Sequence, residues 1–384
     1  MEETGEHYQI CTRCVMDTSD PEIVFDEQGI CNHCHAYDLA IQKQVFSGEA
    51  GKKILDSFVK KVKDEGQGKE YDCIIGVSGG VDSSYVAYQV HELGLRPLAV
   101  HLDNGWDSEL AVKNIELLLN KLGIELYTYV LDWEEFRDLQ LAFLRSSTPD
   151  SEIPSDHAIV SSMYMKAKEL GIDNIIDGCN FRTESHLPRA WSHGHLDWRY
   201  ISSINKIYGT KPLKNYPHMT FWQKIYYARR FISFSILDYI DYSKTEARKV
   251  LEEELGWRYY GGKHYESIYT RFYQGYILPT KFGYDKRRTH LSSLVCSGET
   301  TRAKALEELI NDPYPAALMR EDKEFVVKKF ELTEEEFDDI MALPRRSFYD
   351  YPSYEKIIRN PLWFGLLKKA YRSIYLKGKN YARF

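Results

Sequence analysis

The chain has 384 residues, of which 43% are apolar and 28% charged, and it carries a formal net charge of −7 at pH 7. These values exclude a disordered or low-complexity protein and predict a soluble globular protein with one large core or several smaller ones. The polar, acidic start M-E-E-T-G-E-H-Y and the lack of a long apolar run predict neither export nor membrane spanning, and therefore a cytoplasmic protein. The negative charge also opposes non-specific binding to nucleic acid.

Four of the seven cysteines are grouped near the N-terminus. They follow the pattern C-x2-C-x16-C-x2-C and are Cys11, Cys14, Cys31 and Cys34. Each C-x2-C turn can direct two sulfurs at one tetrahedral centre, so we predict a structural zinc module at residues 1–48. Two disulfides or unrelated thiols are the alternatives, and disulfides do not suit a protein without an export signal. His33 and His35 flank the second pair and are expected to be bystanders.

Residues 49–188 alternate between strand-length and helix-length patterns. Apolar runs of strand length occur at 71–77, 97–102, 125–130 and 173–177, and helix-length patterns at 83–94, 108–122 and 157–170. This alternation predicts an α/β domain with a Rossmann-like parallel sheet and crossover helices. Ligands of such sheets bind at the carboxyl ends of the strands, which is where polar residues follow the first, second and fourth runs.

The turn V-S-G-G-V-D-S-S, from Val77 to Ser84, follows the first strand. Its glycines let the backbone approach a ligand, its serines donate hydrogen bonds, and the next helix presents free N–H groups, so an anion is expected there. A Walker loop would carry a lysine that is missing here, and Asp82 stands where a magnesium ligand would be useful. From these residues alone, a plain glycine turn with Asp82 and Ser83 as helix caps is an equally good interpretation.

This turn resembles the PP-loop of the N-type ATP pyrophosphatases, which cleave ATP between the α- and β-phosphates. The resemblance implies ATP and Mg²⁺ as cofactors, with the turn holding the departing pyrophosphate while a substrate oxygen attacks the α-phosphorus. The residues it implies for binding ATP or pyrophosphate are Ser78, Gly79, Gly80, Asp82, Ser83, Ser84, His101 and Asp103. Asp82 is further implied as a catalytic residue and, with Glu184, as a magnesium ligand. For Asp103 and Glu184 the alternative is a solvated loop carboxylate.

Residues 189–384 are predicted to form a mainly helical region for substrate and partner binding, including F-W-Q-K-I-Y-Y-A-R-R-F-I-S-F-S-I-L-D-Y-I at 221–240. Within it, residues 259–294 and the following V-C-S-G-E-T-T-R, taken with the cysteine tetrad and the PP-loop, resemble the N-acetyl sugar amidotransferases. These enzymes belong to bacterial O-antigen and lipopolysaccharide biosynthesis. Membership implies that an acetamido group on a nucleotide-activated sugar, such as a diacetamido uronic acid, is adenylated on oxygen and converted to an acetamidino group by ammonia.

The late segment is rich in lysine and arginine, which suit a substrate with a diphosphate and a carboxylate. We expect Lys281 to bind ATP, and Lys286 and Arg287 to face the triphosphate as catalytic residues. The candidates for contacting the sugar are Lys263, His264, Glu266 and Arg271. The alternative is a charged surface with aromatic stems packed beneath it.

Two further motifs are given structural interpretations. S-H-G-H at 192–195 is predicted to be a turn, because no acidic residue is spaced suitably to complete a metal site. The basic tail from Leu362 to Phe384 is expected either to dock an acidic partner or a membrane surface, or to be a solvated helix end.

The predicted reaction consumes ammonia, which enzymes usually draw from glutamine with a nucleophilic cysteine. Cys73, Cys179 and Cys296 are dispersed and stand in no such context. The resemblance therefore implies two partners that deliver ammonia, a glutaminase and a barrel protein like the subunits of imidazole glycerol phosphate synthase. One rival is a PP-loop tRNA-thiolating enzyme, which the acidic charge and the lack of a spare cysteine pair disfavour. Another is a non-catalytic adaptor that binds zinc and nucleotide.

Overall fold

A computed structural model describes residues 8–262 and 265–359 and contains a five-stranded parallel sheet. The strands are β1 Cys73–Gly76, β2 Pro97–Asp103, β3 Glu125–Val130, β4 Asn174–Asp177 and β5 Ile232–Ser235. Their order across the sheet is β3-β2-β1-β4-β5, which is the order of a doubly wound α/β fold whose reversal point lies between β1 and β4. The predicted α/β fold class is confirmed.

Helices cover both faces of the sheet and build the remainder of the described chain. Up to β4 they are α1 Asn32–Gln44, α2 Gly48–Glu65, α3 Val81–Glu92, α4 Glu109–Leu122, α5 Trp133–Ser146 and α6 Ile153–Leu170. They continue as α7 Phe181–Glu184, α8 Trp198–Tyr208, α9 Phe221–Arg230, α10 Lys244–Leu255, α11 Ile268–Phe272, α12 Arg287–Ser297, α13 Arg302–Ile310, α14 Ala316–Lys329, α15 Glu334–Ala342 and α16 Tyr354–Arg359. A π-helical stretch spans Tyr273–Phe282, and 3-10 turns lie at Ile236–Asp238 and Phe348–Asp350. Among these helices, none combines the length and the apolar character needed to cross a bilayer.

The central strand β1 is buried on both faces. Ile74 pairs with Leu98 of β2 and with Ile175 of β4, and Ile75 pairs with Ala99 and Ile176. Strands enclosed by helices on both sides read as continuous apolar runs, which is why C-I-I was recognisable as a strand from the sequence. The carboxyl end of β1 is thereby held rigidly at the middle of the sheet.

Strand β5 corrects the expectation of continuous helix through residues 221–240. Helix α9 ends at Arg230, and I-S-F-S then pairs in parallel with β4. Phe234 is fully buried and stacks on Phe58 and Tyr239, while Ser233 and Ser235 donate hydrogen bonds to Asp177 of β4. Alternating side chains that serve two faces favour a strand over a helix. The sheet therefore extends beyond residue 188.

A second, aromatic core joins the late helices to the sheet domain. It is centred on Trp106, which follows β2 and contacts Trp133, Tyr269 and Phe330. The same core includes buried side chains of α5, α8, α14 and α15. The large aromatic content beyond residue 190 is thus used for packing.

The fold makes β5 a measurable contributor to stability. Replacing Phe234 by Ala is expected to lower the free energy of unfolding by about 3–5 kcal/mol, because it leaves a cavity between two stacked rings. Urea unfolding monitored by circular dichroism measures the change. The matched control is Trp222→Ala on α9, whose side chain is 74% exposed and whose loss is expected to change stability by about 0.5 kcal/mol or less. Equal effects of the two variants would contradict the packing described for β5.

Candidate active site

A large cavity lies at the carboxyl ends of the strands. Its volume is about 1170 Å³, and its walls come from the turn after β1, the ends of β2 and β4, helix α10 and the late segment from residue 259 onward. Sites for one small molecule usually measure about 300–1000 Å³. The cavity therefore has room for a nucleotide and a second substrate.

The turn after β1 has the backbone expected of an anion-binding loop. Gly79 has φ +79°, and a Cβ there would lie 2.8 Å from the carbonyl oxygen of Ala111, so only glycine fits. Helix α3 begins at Val81 with its first N–H groups towards the cavity wall, and the Ser78 and Ser83 hydroxyls lie 3.1 Å apart. Of the predicted loop residues, Ser78, Gly80, Asp82 and Ser83 line the cavity, whereas Gly79 packs on α4 and Ser84 is buried below.

Asp82 is held by two residues that the sequence analysis missed. Its carboxylate accepts a hydrogen bond from the Tyr242 hydroxyl and lies 3.4 Å from the Lys244 ammonium. Burial alone would lower the pKa of Lys244, but the carboxylates of Asp82, Glu184 and Glu266 outweigh it, and the pKa is raised. Three carboxylates thus converge on one ammonium group. Oxygen donors with excess negative charge suit Mg²⁺, so Asp82 and Glu184 fit the predicted metal.

His101 connects the turn to the end of β2. Its Nδ1 lies 2.9 Å from the carbonyl oxygen of Val77, and its Nε2 lies 3.1 Å from a carboxylate oxygen of Asp107. Burial opposes protonation of this ring, yet the Asp107 carboxylate raises its pKa overall. Asp103 is placed differently from the prediction, because its carboxylate accepts from the Gly105 N–H at 2.8 Å and forms a turn outside the cavity wall. The acid on the cavity wall here is Asp107.

The late segment reaches the cavity through a short backbone bridge. Asp107 and Ser267 form an isolated antiparallel pair, and the Ser108 N–H donates to the Glu266 carbonyl oxygen at 2.8 Å. The Glu266 carboxylate consequently lies over the turn, where a Cβ on Gly80 would be 3.5 Å from its Oε1. The predicted substrate residue Glu266 is therefore at the cavity, whereas Lys263 and His264 fall outside the described residues.

Three of the predicted basic residues lie on the cavity wall, whereas Lys281 lies elsewhere. Lys286, Arg287 and Arg271 line the cavity. Arg271 forms a two-point ion pair with Asp322 at 2.6 and 2.7 Å, and Arg287 pairs with the adjacent Asp285 at 2.7 Å. Both guanidinium groups thus already form ion pairs with acids of this chain. For Lys286, no such ion pair is found within the part of the chain that the structure describes.

Lys281 departs from its predicted ATP-binding role. It lies in the π-helical stretch, is 7% exposed, and donates to the carbonyl oxygen of Ile340 on α15. Burial lowers the pKa of its ammonium group to about 8. Because the π-helical turn directs this side chain into the helical core, Lys281 supports packing away from the cavity.

Helix α10 supplies the cations that the sequence analysis did not select. Lys244, Arg248 and Lys249 all line the cavity, and Lys244 lies 3.4 Å from Asp82 of the turn. Their sequence, K-T-E-A-R-K, is typical of a solvated helix. Only the local concentration of positive charge could have indicated from the sequence that these residues face a ligand. The contact between α10 and α3 brings this charge to the anion-binding turn.

The four N-terminal cysteines converge on one point, as predicted. All four sulfurs are buried and lie within 4.8 Å of one another, with neighbouring pairs at 3.6, 3.7 and 3.9 Å. A tetrahedral zinc with Zn–S bonds of about 2.3 Å has sulfur–sulfur edges of about 3.8 Å, so the tetrad fits that metal. His33 and His35 instead pair with Asp20 and Asp26, at 2.6 and 2.8 Å.

The cysteine module braces helix α12, at whose first turn Lys286 lies. The guanidinium of Arg302 donates to the carbonyl oxygens of Cys11 and Cys14 at 3.0 Å, and Arg288 of α12 forms an ion pair with Asp17 at 3.0 Å. On its other side α12 packs against α7, which ends at Glu184. The module therefore helps to position two walls of the cavity at once.

The chain matches a known family in its late segment. Residues 266–364 match the family described as LPS biosynthesis protein WbpG-like, C-terminal domain. This match confirms the resemblance predicted for the late part of the chain. It begins at Glu266, which the backbone bridge places over the anion-binding turn.

Curated relatives match shorter parts of the chain. The tRNA-specific 2-thiouridylase MnmA of Flavobacterium johnsoniae is 28% identical over 121 residues, which is 27% of this chain and 30% of that protein. The tRNA(Ile)-lysidine synthase of Chlamydia pneumoniae is 37% identical over 70 residues, or 18% of this chain and 22% of that protein. The chain thus spans about a third or less of the length of these relatives.

Solved structures show low similarity over longer spans. The NMN synthetase from Francisella tularensis is 16% identical, with a TM-score of 0.34, covering 74% of this chain and 98% of that one. The NH3-dependent NAD synthetase from Campylobacter jejuni is 12% identical, with a TM-score of 0.30, covering 77% of this chain and 98% of that one.

The cysteine tetrad leads to a test of metal content. Purified wild-type chain is expected to carry stoichiometric zinc, and Cys31→Ser is expected to lose it and to unfold at a Tm lower by about 5 °C or more, because metal binding contributes to folding. Metal analysis by plasma mass spectrometry and thermal unfolding measure the two effects. The control is Cys179→Ser, which should keep its zinc. A metal-free Cys31→Ser variant with the wild-type Tm would remove the structural role of the site.

Proposed function

We propose that this chain, whose residues 266–364 match a WbpG-like C-terminal domain of lipopolysaccharide biosynthesis, is an ATP-dependent amidotransferase of the PP-loop superfamily. It converts an acetamido group of a nucleotide-activated sugar, a diacetamido uronic acid or a related one, to an acetamidino group. The observation that carries the proposal is that the anion-binding turn and the family-matched segment line the same cavity. ATP and sugar can therefore meet in one enclosed space.

The first step is transfer of AMP to the substrate. The acetamido oxygen attacks the α-phosphorus of ATP, a P–O bond to the β-phosphate breaks, and pyrophosphate leaves. The N–H groups at the start of α3 and the hydroxyls of Ser78 and Ser83 stabilise the charge that develops on pyrophosphate. Lys244 and Arg248 of α10 and Lys286 before α12 also line the cavity and add positive charge there.

Mg²⁺ would be held by Asp82 and Glu184, and it would neutralise phosphate charge and orient the leaving group. Lys244 lies 3.4 Å from the Asp82 carboxylate, and the charge of Glu184 also acts on its ammonium group. Zn²⁺ would be held by the cysteine tetrad and would be structural, because all four ligand positions come from protein sulfurs.

The second step requires ammonia, which we assign to a separate glutaminase working with a barrel protein. The described cysteines outside the tetrad do not suit a glutaminase. Cys73 is buried within β1, and Cys296 lies 3.7 Å from Cys34 of the tetrad. Cys179 lines the cavity, where desolvation and the carboxylates of Asp177 and Glu184 raise its pKa and disfavour the thiolate.

A second candidate function is tRNA thiolation, which the match to the 2-thiouridylase of Flavobacterium johnsoniae favours. Thiolation by a persulfide needs a nucleophilic cysteine, and the raised pKa of Cys179 opposes that role. The net charge of −7 also opposes binding to a polyanion. We therefore rank it below the amidotransferase.

One assay separates these functions. The purified chain is incubated with ATP, Mg²⁺, an ammonium salt and a nucleotide diacetamido uronic acid, and AMP, pyrophosphate and product mass are measured. The amidotransferase predicts AMP release that depends on the sugar and a product in which one O is replaced by NH. AMP release only with tRNA and a sulfur donor would establish the thiolase instead. ATP binding without turnover would leave an adaptor.

The predicted metal ligand is tested by Asp82→Asn. Removing this charge is expected to lower sugar-dependent pyrophosphate release by about 100-fold or more, because the charge on the leaving group is then less well stabilised. Zinc content should stay unchanged. Asp56→Asn, at an exposed position of α2, is the control and should turn over normally. Wild-type turnover by Asp82→Asn would exclude Asp82 from the metal site.

A further inference from the structure

A histidine between two carboxylates lies beside the cavity and is not used in the proposal above. His195 Nε2 is 3.3 Å from Oδ2 of Asp150 and 3.3 Å from Oδ2 of Asp156. From the sequence, S-H-G-H is predicted to be a plain turn, because no acidic residue is suitably spaced along the chain. The two acids lie much earlier in the chain: Asp150 shortly precedes α6, and Asp156 lies in the first turn of that helix.

The two carboxylates have different surroundings. Asp150 has a side chain 5% exposed, and it accepts hydrogen bonds from the Ser192 hydroxyl and from the Glu152 N–H at 3.0 Å. Asp156 has a side chain 48% exposed and lines the cavity. Asp150 is thus a buried counter-ion that fixes His195, whereas Asp156 presents its carboxylate to the ligand space.

Asp156 lies near the end of β2, on the side of the cavity where the nucleotide is proposed to bind. Its neighbour Ser155 accepts a hydrogen bond at 3.1 Å from Asn104, which follows β2, and all three residues line the cavity. Lys286 lies near enough for its charge to act on Asp150, Asp156 and His195. The cluster and the proposed adenylation machinery therefore share one wall.

The charges around Asp156 leave it able to accept a proton near neutral pH. Desolvation inside the cavity, with the nearby carboxylates of Asp150 and Glu152, raises the pKa of Asp156 to about 6, although His195 and Lys286 act in the opposite direction. Burial opposes protonation of His195, but Asp150 and Asp156 raise its pKa overall. A proton acceptor works best when its pKa lies close to the working pH.

We propose that Asp156, positioned by His195 and Asp150, binds ammonium in the cavity and accepts the proton that ammonium must lose before it attacks. The inference rests on the proposed amidotransferase function and names the residues that serve its second substrate. A carboxylate on the wall of a cavity can bind a small cation that enters it. The buried Asp150–His195 pair holds it in place without competing for the ligand.

The step balances in atoms and charge. Ammonium gives one proton to Asp156 and becomes ammonia, whose nitrogen lone pair forms a bond to the adenylated carbon. The added nitrogen, which is positively charged after the attack, then releases a second proton to water. The C–O bond to AMP breaks with its electron pair going to the oxygen that leaves on AMP, and the nitrogen lone pairs form the amidinium. The proton on Asp156 passes to solvent through the open side of the cavity.

The test uses the full chain with ATP, Mg²⁺, ammonium chloride and the nucleotide sugar, and it follows pyrophosphate and amidine separately. Asp156→Asn is expected to release pyrophosphate within about twofold of the wild-type rate but to form at least about 10-fold less amidine per AMP. The missing amidine should appear as regenerated acetamide, because water hydrolyses the adenylate. His195→Gln should also form less amidine per AMP, with a smaller loss than Asp156→Asn. The matched control is His193→Gln, in the same loop as His195, where the native His193 ring pairs with Glu355 of α16. This variant should form as much amidine per AMP as the wild type.

The pH profile separates a proton acceptor from a structural residue. Wild-type amidine yield should fall as the pH drops through the pKa of Asp156, near 6, since the protonated carboxyl cannot accept a proton. In Asp156→Asn, the amidine yield should no longer fall with this pKa near 6. It should rise again at pH values of about 9 and above, where free ammonia is abundant and needs no proton acceptor. A merely structural loss would not be rescued by pH.

The outcomes distinguish the inference from the proposed function. Unchanged coupling in Asp156→Asn, or equal loss of pyrophosphate and amidine in a folded variant, would overturn the role of Asp156 alone. Absence of sugar-dependent pyrophosphate release in the wild type would overturn the proposed function and this site with it. If Asp156→Asn does not fold, Asp156→Glu replaces it, and its carboxylate, displaced by one methylene, should lower coupling several-fold.

Discussion

The active site depends on a backbone pairing between residues far apart in the chain. The loop after β2 and the first residues of the family-matched segment are joined by the Asp107–Ser267 bridge and by hydrogen bonds on either side of it, from Ser108 to Glu266 and from Ile268 to Trp106. Since Trp106 is also the centre of the aromatic core, this pairing is locked by packing as well as by hydrogen bonds. It sets the late segment over the anion-binding turn and closes the cavity.

The charge distribution in the cavity follows from that closure. Carboxylates of Asp82, Glu184 and Glu266 come from three separate parts of the chain and meet around Lys244. Uncompensated, three like charges around one cavity would repel one another and destabilise the fold, because charges partly removed from water need partners. The ammonium of Lys244 supplies part of that compensation, and a nucleotide with its metal would rearrange it. The site is therefore held together by the same charges that recognise its ligands.

The cysteine module acts on this site from outside. Its loop backbone is fixed by Arg302 and by Arg288 of α12, so the metal-binding fold and the helix that follows Lys286 are positioned together. His186 lies 3.8 Å from Cys296 and connects the end of α7 to the same region. A metal centre distant from the chemistry can in this way determine how well the cavity walls are placed.

The sequence by itself determined four of the five strands, the anion-binding turn and the cysteine tetrad, because each is a local pattern whose meaning needs only neighbouring residues. It could not determine which charged residues of the late segment face the cavity. Lys281 differs from Lys286, and Asp103 from Asp107, only in where the chain turns and which partner lies across from the side chain. Helix α10 and the Asp150–His195–Asp156 cluster were missed for the same reason. Contacts between residues remote in sequence, made by packing of the aromatic core and by the bridge after β2, decided the composition of the site.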